Sequence, residues 1–561
     1  MSFNKMNMRM IAMGLLAGAA HKITGGHLGL GKSLMRGLAQ WDLRHWEWKN
    51  REGMPGGGWM KKFYLGLDQG TTGTTAMIFD ENWNKISRGY KEHTQYYPQP
   101  GWVEHDPTEI WQAALETIDM AAKTAGILKE ELTCIGLDNQ GETVMLWDSI
   151  SGMPVYNAIV WQDRRTAQMA GEIAREYGEM IREKTGLIVD AYFSATKIRW
   201  IMDHVEGVRE KIEKGRIIAG TLDTWMIWKL THGKVCVTDY STASRTMLLN
   251  IHTGQWDDEI LEKLGIPRSI LPEIRDSAQL YGYTDPLDFF GAIIPISGTV
   301  VDQQAALFGQ ACFKRGAVKT TYGTGCFMLM NTGDKPVYSE NGLLTTVGWG
   351  IDKGKITFAL DAGIYIAGAA VQWLRDKLKI IEHASDTELM AKSVPDTAGV
   401  YFVPAFSGLA APHWDQYARG TLVGITGGTE KEHIVRAALE SMAYQVKDNL
   451  DVLERDSGIP IEVMRVDGGA SVNEFLMQFQ ADILGIPVEV PVITDTTALG
   501  AAYLAAYGIG EFQNISELEQ NWKLDKRYEP KMDKETRERL LYEWHRAVER
   551  SKEWIEVPGV H

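Results

Sequence analysis

The sequence is poor in cysteine and in basic residues, and each shortage excludes a class of protein. Its 561 residues include four cysteines, without a CxxC pair, at Cys134, Cys236, Cys312 and Cys326. Such scattered thiols fit neither a zinc site nor a disulfide framework, and a reducing cytoplasm is the simplest setting for them. Lysine and arginine number 58 against 73 acidic residues, giving a net charge of −15. We therefore expect no nucleic-acid partner.

Long apolar runs are also missing. The apolar run near the N-terminus spans residues 10–20 and follows Lys5 and Arg9, which resembles a weak signal peptide. A membrane-spanning helix needs about 20 consecutive apolar residues. The sequence therefore predicts no membrane insertion.

Residues 1–59 differ in composition from the rest of the chain. The stretch GHLGLGKS at residues 26–33 fits the P-loop pattern, but no buried strand precedes it, so its context argues against a working nucleotide loop. A methionine and two lysines at 60–62 stand directly before the first strand-like segment. We hypothesise that 1–59 is an atypical extension outside the fold.

From Phe63 onward, strand-like and helix-like segments alternate, which predicts an α/β protein. The chain is longer than one hydrophobic core usually organises, so at least two large domains are expected. The apolar run at 133–137 predicts a buried strand that ends in a polar cluster, residues 138–142. Open α/β sheets carry their sites at such carboxyl ends.

Three glycine-rich turns follow predicted strands. The first, LGLDQGTTGTTA at residues 65–76, places Asp68 before Gly70 and Gly73. Backbone N–H groups of such a turn bind anions, and a carboxylate at the strand end is a Mg²⁺ ligand candidate. One such motif alone is equally compatible with a plain β-hairpin. The partner turns TYGTGCF at 321–327 and VDGGAS at 466–471 favour a phosphate-binding function.

These turns resemble those of the FGGY carbohydrate kinases, which belong to the actin and Hsp70-like ATPase superfamily, and within that family they resemble the glycerol kinases. The same resemblance holds for the stretches YNAIVWQDRR, DQQAALFGQ and VDGGASVNEFLMQF. The similarity extends from residue 60 to about residue 528. It implies an α/β fold of two RNase H-like domains with an interdomain cleft. It assigns residues 60–311 to an N-terminal domain with the polyol site and first phosphate loop, and residues 312–561 to a C-terminal nucleotide domain.

The resemblance also implies a function. It predicts ATP-dependent phosphorylation of a terminal hydroxyl of glycerol or a related polyol, with Mg²⁺, by a cytoplasmic homo-oligomer, a dimer or tetramer. Asp302 corresponds to the general base, and Asp68 and Asp302 to metal ligands. The implied polyol-site residues are Gly141, Glu142, Trp161, Tyr192, Asp302, Gln303 and Phe327. The implied ATP-site residues are Thr71, Thr72, Gly73, Thr324, Gly368, Gln372, Gly469 and Asn473.

The chain departs from the glycerol kinases at two positions. Those enzymes typically read NQRET where residues 139–143 read NQGET, so Gly141 replaces an arginine that binds two adjacent hydroxyls. We expect a space the size of a side chain there. Three consequences stay open: weak glycerol binding, another group in the gap, or a longer substrate such as a tetritol or pentitol. Thr75 stands where the family often has arginine, which predicts weaker phosphate binding unless Mg²⁺ compensates.

A function of a different class is also open at this stage. The superfamily includes filament and chaperone ATPases, and the two departures are compatible with an inactive regulatory homologue. The kinase is favoured by the joint presence of Glu142, Trp161, Tyr192, Asp302 and Gln303. Arg164 and Arg165 are predicted to form structural ion pairs.

Overall fold

The structure is a computed structural model that describes residues 61–555. The hypothesised extension at 1–59 and the P-loop-like stretch at 26–33 lie outside the described residues. Strands and helices alternate along the described chain, and the α/β prediction is confirmed.

The strands are β1 (Phe63–Gln69), β2 (Gly73–Phe79), β3 (Lys85–Glu92), β4 (Glu104–His105), β5 (Leu132–Asn139), β6 (Val144–Asp148), β7 (Ala158–Ile159), β8 (Ile217–Thr221), β9 (Val237–Asp239), β10 (Leu249–Asn250), β11 (Gln255–Trp256), β12 (Glu273–Arg275), β13 (Ala278–Tyr283), β14 (Pro295–Val301), β15 (Val318–Tyr322), β16 (Cys326–Gly333), β17 (Leu344–Ile351), β18 (Lys355–Ile364), β19 (Tyr401–Val403), β20 (Thr421–Val423), β21 (Met464–Gly468), β22 (Val488–Pro491) and β23 (Leu524–Tyr528). The α-helices are α1 (Pro107–Ala125), α2 (Ala167–Thr185), α3 (Ser194–His204), α4 (Val208–Glu213), α5 (Leu222–Leu230), α6 (Tyr240–Ser244), α7 (Asp258–Leu264), α8 (Asp302–Gly309), α9 (Gly368–Asp376), α10 (Asp386–Ser393), α11 (Lys431–Ser457), α12 (Glu474–Leu484), α13 (Thr496–Gly508), α14 (Ser516–Glu519) and α15 (Lys534–Ser551). Short 3₁₀ segments span Lys129–Glu131, Arg268–Ile270 and Gly469–Val472.

The first large sheet has the strand order β13-β14-β5-β1-β2-β3. Strands β14, β5 and β1 run parallel, and β1, β2 and β3 form an antiparallel meander. Strand β5 is almost wholly buried, as its apolar sequence predicts for a central parallel strand. Because parallel strands end at the same edge, Asp68 on β1 and Asp138 on β5 are direct partners in register.

The second large sheet has the strand order β17-β18-β16-β15-β21-β22-β23. Strands β15 and β16 form a hairpin, and β15 runs parallel to β21. Tyr322 at the end of β15 is the register partner of Gly468 at the end of β21. The second and third glycine-rich turns therefore lie side by side at one edge of this sheet.

Helix α13 joins the two sheets. It follows β22 of the second sheet in sequence but packs on β1, β5 and β14 of the first. A Cβ atom at Gly136 would lie 1.9 Å from the carbonyl oxygen of Ala501, and one at Gly66 would lie 2.0 Å from that of Ala498. Glycine is required at both strand positions because no side chain fits at such distances. Helix α13 also packs against α8, which begins with Asp302.

Much of the tryptophan content is structural. Trp147 and Trp225 are buried, with ring centroids 5.2 Å apart, and Trp228 stacks on Trp225 in the same core. Trp147 lies on β6 of a smaller sheet, which has the strand order β4-β7-β6-β8. Within residues 61–555, no helix is long and apolar enough to cross a membrane.

Candidate active site

The first phosphate turn, residues 70–73, connects β1 to β2. The N–H of Gly70 donates to the carbonyl oxygen of Gly73 at 3.1 Å, which closes the turn. Thr71 is partly buried and Thr72 is exposed, so both are open to a ligand. The indole N–H of Trp161 donates to Oγ1 of Thr71 at 2.9 Å. One hydrogen bond thus connects a predicted phosphate-loop residue to a predicted polyol-site residue.

Asp68 and Asp138 form a buried carboxylate pair behind this turn. Oγ1 of Thr497 donates to Asp68 at 3.2 Å, whereas both carboxylate oxygens of Asp138 are buried without a hydrogen-bond partner. Burial raises the pKa of Asp68, and burial together with the charge of Asp68 raises the pKa of Asp138. Mg²⁺ in nucleotide sites is commonly held by one or two carboxylates plus substrate phosphates. The unpaired oxygens of Asp138 fit that role, and sequence reasoning did not assign it.

Asp302 is the first residue of α8, directly after the buried strand β14. Its Oδ1 accepts from the backbone N–H of Gln303 at 2.7 Å. Burial, and next the charge of Glu142, raise the pKa of Asp302 to about 7; the charge of Asp68 acts in the same direction. A carboxyl group with that pKa is matched to accepting a proton near neutral pH.

Lys319 is a buried cation beside Gln303 that sequence reasoning missed. Its Nζ donates to Oε1 of Gln303 at 2.5 Å and to Oγ1 of Thr321 at 3.0 Å. The carbonyl oxygen of Phe327 lies 3.5 Å from the same Nζ. Phe327 is partly buried, with its ring close to Gly363 on β18. Lys319 thereby connects two of the predicted polyol-site residues.

Glu142 is buried and paired with Arg245. Nε of Arg245 donates to Oε1 of Glu142 at 2.7 Å, and Nη1 of Arg245 lies 3.2 Å from Oδ2 of Asp361. The Arg245 guanidinium also lies 5.9 Å from the centre of the Tyr192 ring. Neither Arg245 nor Asp361 was singled out from the sequence, because their chain positions are about 100 and 220 residues from Glu142.

Tyr192 and Trp161 form an aromatic wall. Their ring centroids are 5.6 Å apart in an edge-to-face arrangement. Nζ of the buried Lys197 donates to the carbonyl oxygen of Tyr192 at 2.8 Å, which fixes the loop before α3. Burial lowers the pKa of Lys197 to about 7. Amphipathic rings of this kind suit a ligand that has both C–H edges and hydroxyls.

The expected space at Gly141 does not exist. A Cβ atom there would lie 2.2 Å from Cγ2 of Val301, and 3.1 Å and 3.4 Å from Cγ and Cβ of Arg245. The prediction of a side-chain-sized gap is therefore wrong, because Val301 at the end of β14 fills the volume. Of the three consequences left open, the structure favours the one in which other groups occupy the gap.

A cation also reaches the turn near Thr75. Arg88 on the neighbouring strand β3 places Nη2 3.4 Å from Oγ1 of Thr75. Burial raises the pKa of Asp68, and the charge of Arg88 opposes that rise. Arg88 therefore places a positive charge close to position 75 and to Asp68.

The predicted ATP-site residues of the second domain fall into two groups. The N–H of Gly368 donates to the carbonyl oxygen of Gly323 at 3.0 Å, next to Thr324, so the β15–β16 turn contacts the start of α9. Gln372 lies one turn further along α9 and is exposed.

The second group follows β21. A Cβ at Gly469 would meet no atom within 4 Å, so the backbone there is open to a ligand. The side chain of Asn473 accepts from the N–H of Leu476 at 2.9 Å as the N-cap of α12, and its amide donates to Thr387 at 3.3 Å. Both side-chain ends of Asn473 therefore have structural partners.

Arg165 and Arg164 behave as predicted ion-pair formers. The side chain of Arg165 is fully buried, and its Nη2 donates to both Glu104 and Asp163 at 2.8 Å. Its guanidinium lies 3.8 Å from the centre of the Trp102 ring. Arg164 is half exposed and pairs with Asp190 at 2.5 Å.

Comparison with known proteins agrees with this architecture. The family model described as the FGGY family of carbohydrate kinases, N-terminal domain, matches residues 63–309, and the C-terminal domain model matches residues 318–509. Glycerol kinase 2 of Thermotoga maritima is 60% identical over 494 residues, which are 88% of this chain and 99% of the relative. Glycerol kinase of Caldanaerobacter subterraneus is 57% identical over 89% of this chain and 100% of its own length.

Solved structures give the same picture. The crystal structure of Plasmodium falciparum glycerol kinase with ADP superposes with a TM-score of 0.83 at 38% identity, covering 88% of this chain and 99% of that chain. A xylulose kinase from Lactobacillus acidophilus, at 22% identity and a TM-score of 0.76, shares the fold. The two-domain α/β prediction is confirmed, and the chain belongs to the FGGY family of carbohydrate kinases.

Proposed function

We propose that the protein transfers the γ-phosphoryl group of ATP to a terminal hydroxyl of glycerol, giving glycerol 3-phosphate and ADP. The observation that carries this proposal is the position of Asp302. Asp302 follows Val301, which is the register partner of Asn139 at the end of β5. Strand β1, which carries Asp68 and leads into the first phosphate turn, pairs with β5 on its other side. The base therefore lies at the same sheet edge as this turn, and the charge of Glu142 also acts on its carboxyl group. The names of the two bacterial relatives and of the Plasmodium structure support the same activity.

The proton transfer is assigned to Asp302. An alcohol is a weak nucleophile, and a positioned carboxylate that accepts its proton contributes about 10²–10⁴-fold in rate. As the hydroxyl oxygen bonds to the γ-phosphorus, the bond from that phosphorus to the β-phosphate oxygen breaks and ADP leaves. The hydroxyl proton passes to Asp302.

The phosphate groups are assigned to the two glycine-rich turns. Backbone N–H groups at Thr71–Gly73 and at Thr324 hold them, with Arg88 as a nearby cation. Mg²⁺, when bound, neutralises the phosphate charge. Asp68 and Asp302 were predicted to hold it, and we add Asp138 because its buried oxygens are unpaired. The nucleotide itself is assigned to residues around Gly368, Gln372, Gly469 and Asn473.

The polyol is assigned to the side of Asp302 that faces away from the two phosphate turns. Oε2 of Glu142 and the amide of Gln303 hydrogen-bond its hydroxyls, while Trp161, Tyr192 and Phe327 contact its C–H edges. A site built to pair hydroxyls discriminates against analogues that lack one, since buried polar groups would be left unpaired.

We further propose a division into domains of residues 60–311 and 312–561. Each contains one of the large sheets, and α13 from the second packs on the first. By resemblance to the family, the protein is a cytoplasmic dimer or tetramer. Sedimentation at several protein concentrations tests the oligomeric state, and a monomer at all concentrations contradicts it.

The activity is tested by measuring ADP release from ATP and Mg²⁺ with and without glycerol, and by identifying the product. We expect glycerol-dependent release and loss of at least about 100-fold in Asp302→Asn. Asp334→Asn, on an exposed turn, makes the same charge change as a matched control. Release that is independent of any polyol indicates a non-kinase ATPase, and no release indicates an inactive homologue.

A further inference from the structure

Arg245 is a buried cation whose hydrogen-bonding capacity is largely unused. The residue is 4% exposed. Its Nε donates to Glu142, but Nη1 is buried and has no hydrogen-bond partner, although Oδ2 of Asp361 lies 3.2 Å away. Nη2 likewise makes no hydrogen bond to any described residue. A guanidinium normally offers five N–H donors, and leaving them unpaired in a buried position is unfavourable.

The surroundings of this guanidinium are those of the polyol site. It lies 5.9 Å from the ring centre of Tyr192 and 5.6 Å from that of Phe193. Cγ of Arg245 and Cγ2 of Val301, the residue directly before Asp302, lie 3.1 Å and 2.2 Å from the same point, the position that a Cβ of Gly141 would take. The free donors are therefore close to the proposed base and to an aromatic wall, where a hydroxylated ligand would satisfy them.

Position 141 cannot supply a guanidinium in this chain. Cγ2 of Val301 is 2.2 Å from where a Cβ of residue 141 would lie, and Cγ and Cβ of Arg245 are 3.1 Å and 3.4 Å from the same point. An arginine at 141 would require Val301 to be smaller. The side chains of Val301 and Arg245 thus occupy the place that the resemblance gives to a substrate-binding arginine.

We propose that Arg245 supplies the guanidinium that binds two adjacent hydroxyls of the polyol, and that Val301 fixes this arrangement by filling the volume beside Gly141. Arg245 is then a substrate-binding and specificity-determining residue. This inference rests on the proposed function, since it names the group that recognises the 1,2-diol end of the substrate.

The first test uses Arg245→Gln and Arg245→Lys in the full chain. Hydrogen bonds to a charged donor are typically strong enough that we expect Arg245→Gln to raise KM for glycerol roughly 10- to 100-fold, with a smaller change in kcat. Arg245→Lys keeps the charge beside Glu142 but not the paired donors, so its KM for glycerol should lie between those of the parent and of Arg245→Gln. Arg199→Gln, on the surface of α3, is the matched control and should leave both constants unchanged.

The second test moves the guanidinium. Gly141→Arg alone should raise KM for glycerol, because the new side chain clashes with Val301. The triple variant Arg245→Gln, Gly141→Arg and Val301→Gly should return KM for glycerol to within about threefold of the parent value. Circular dichroism checks that each variant is folded. An unchanged KM in folded Arg245→Gln, or an Arg245→Lys variant that matches the parent, overturns the proposal.

The third test needs no variant. Calorimetry should show that the parent protein binds glycerol at least about tenfold more tightly than 1,3-propanediol, which lacks adjacent hydroxyls. Equal affinity overturns the role of Arg245 even if Arg245→Gln fails to fold. A parent protein without polyol-dependent ADP release refutes the proposed function instead, so the two failures are distinguishable.

Discussion

Replacing Gly500 by alanine tests how the fold holds the catalytic helix in place. Gly500 lies on α13 where it crosses α8, and a Cβ there would be 1.9 Å from the carbonyl oxygen of Ala305 and 3.0 Å from the N of Gly309. Ordinary contact begins at 3.4 Å, so one helix must move by about 1.5 Å. Helix α13 is held against the first sheet by equally close contacts at Gly66 and Gly136. Helix α8 is therefore the one expected to move.

The consequence for activity follows from the position of Asp302 at the start of α8, one turn from Ala305. Misplacing a catalytic group by 1 Å can lower the rate about 100-fold. We expect Gly500→Ala to lower kcat by about 100-fold or more, and overpacking to destabilise the protein by about 1–3 kcal/mol.

The assay is glycerol-dependent ADP release at a temperature where melting curves show both proteins folded. Gly178→Ala on α2 is the matched control, because a Cβ there meets no atom within 4 Å. It should keep the parent kcat and gain about 0.5–1 kcal/mol in stability. A folded Gly500→Ala variant with kcat within threefold of the parent would refute the view that this crossing positions Asp302.

Two further predictions concern charge. Arg165→Met removes the buried cation that pairs with the carboxylates of Glu104 and Asp163, and it should lower the free energy of unfolding by about 3–5 kcal/mol. Arg164→Met, at a half-exposed pair, should cost less than about 1 kcal/mol. Denaturant unfolding of both variants measures these losses, and equal losses would contradict the prediction. Since Asp302 must be ionised to accept a proton and its pKa is raised to about 7, kcat/KM for glycerol should rise with pH and be about tenfold lower at pH 6 than on its plateau. A flat profile from pH 5 to pH 8 would mean that the base has an ordinary carboxyl pKa.

The sequence predicts the strand ends of this protein well because local pattern determines them. The apolar run at 133–137 became β5, and the glycine-rich turns after β1, β15 and β21 lie where the pattern indicates. Parallel pairing then brings Asp138 beside Asp68, a neighbour relation that follows from topology.

Contacts between residues that are far apart in the sequence cannot be predicted from local pattern. The glycine at position 141 predicts a gap, but the side chain of Val301, 160 positions away in sequence, fills the volume. Arg88 on the next strand likewise brings a positive charge close to Thr75, a contact between strands that the motif itself does not show. The packing of α13 on the first sheet depends on backbone approach at glycines of β1 and β5, which carries no local sequence signal.

The most direct test of the central claim is the ratio of kcat/KM for glycerol to that for four- and five-carbon alditols, measured with saturating ATP and Mg²⁺. Because Val301 and Arg245 fill the volume beside Gly141, no room for an extra hydroxymethyl group exists there. We predict that glycerol is preferred over every longer alditol by at least about tenfold. A tetritol or pentitol that is phosphorylated more efficiently than glycerol would contradict the account.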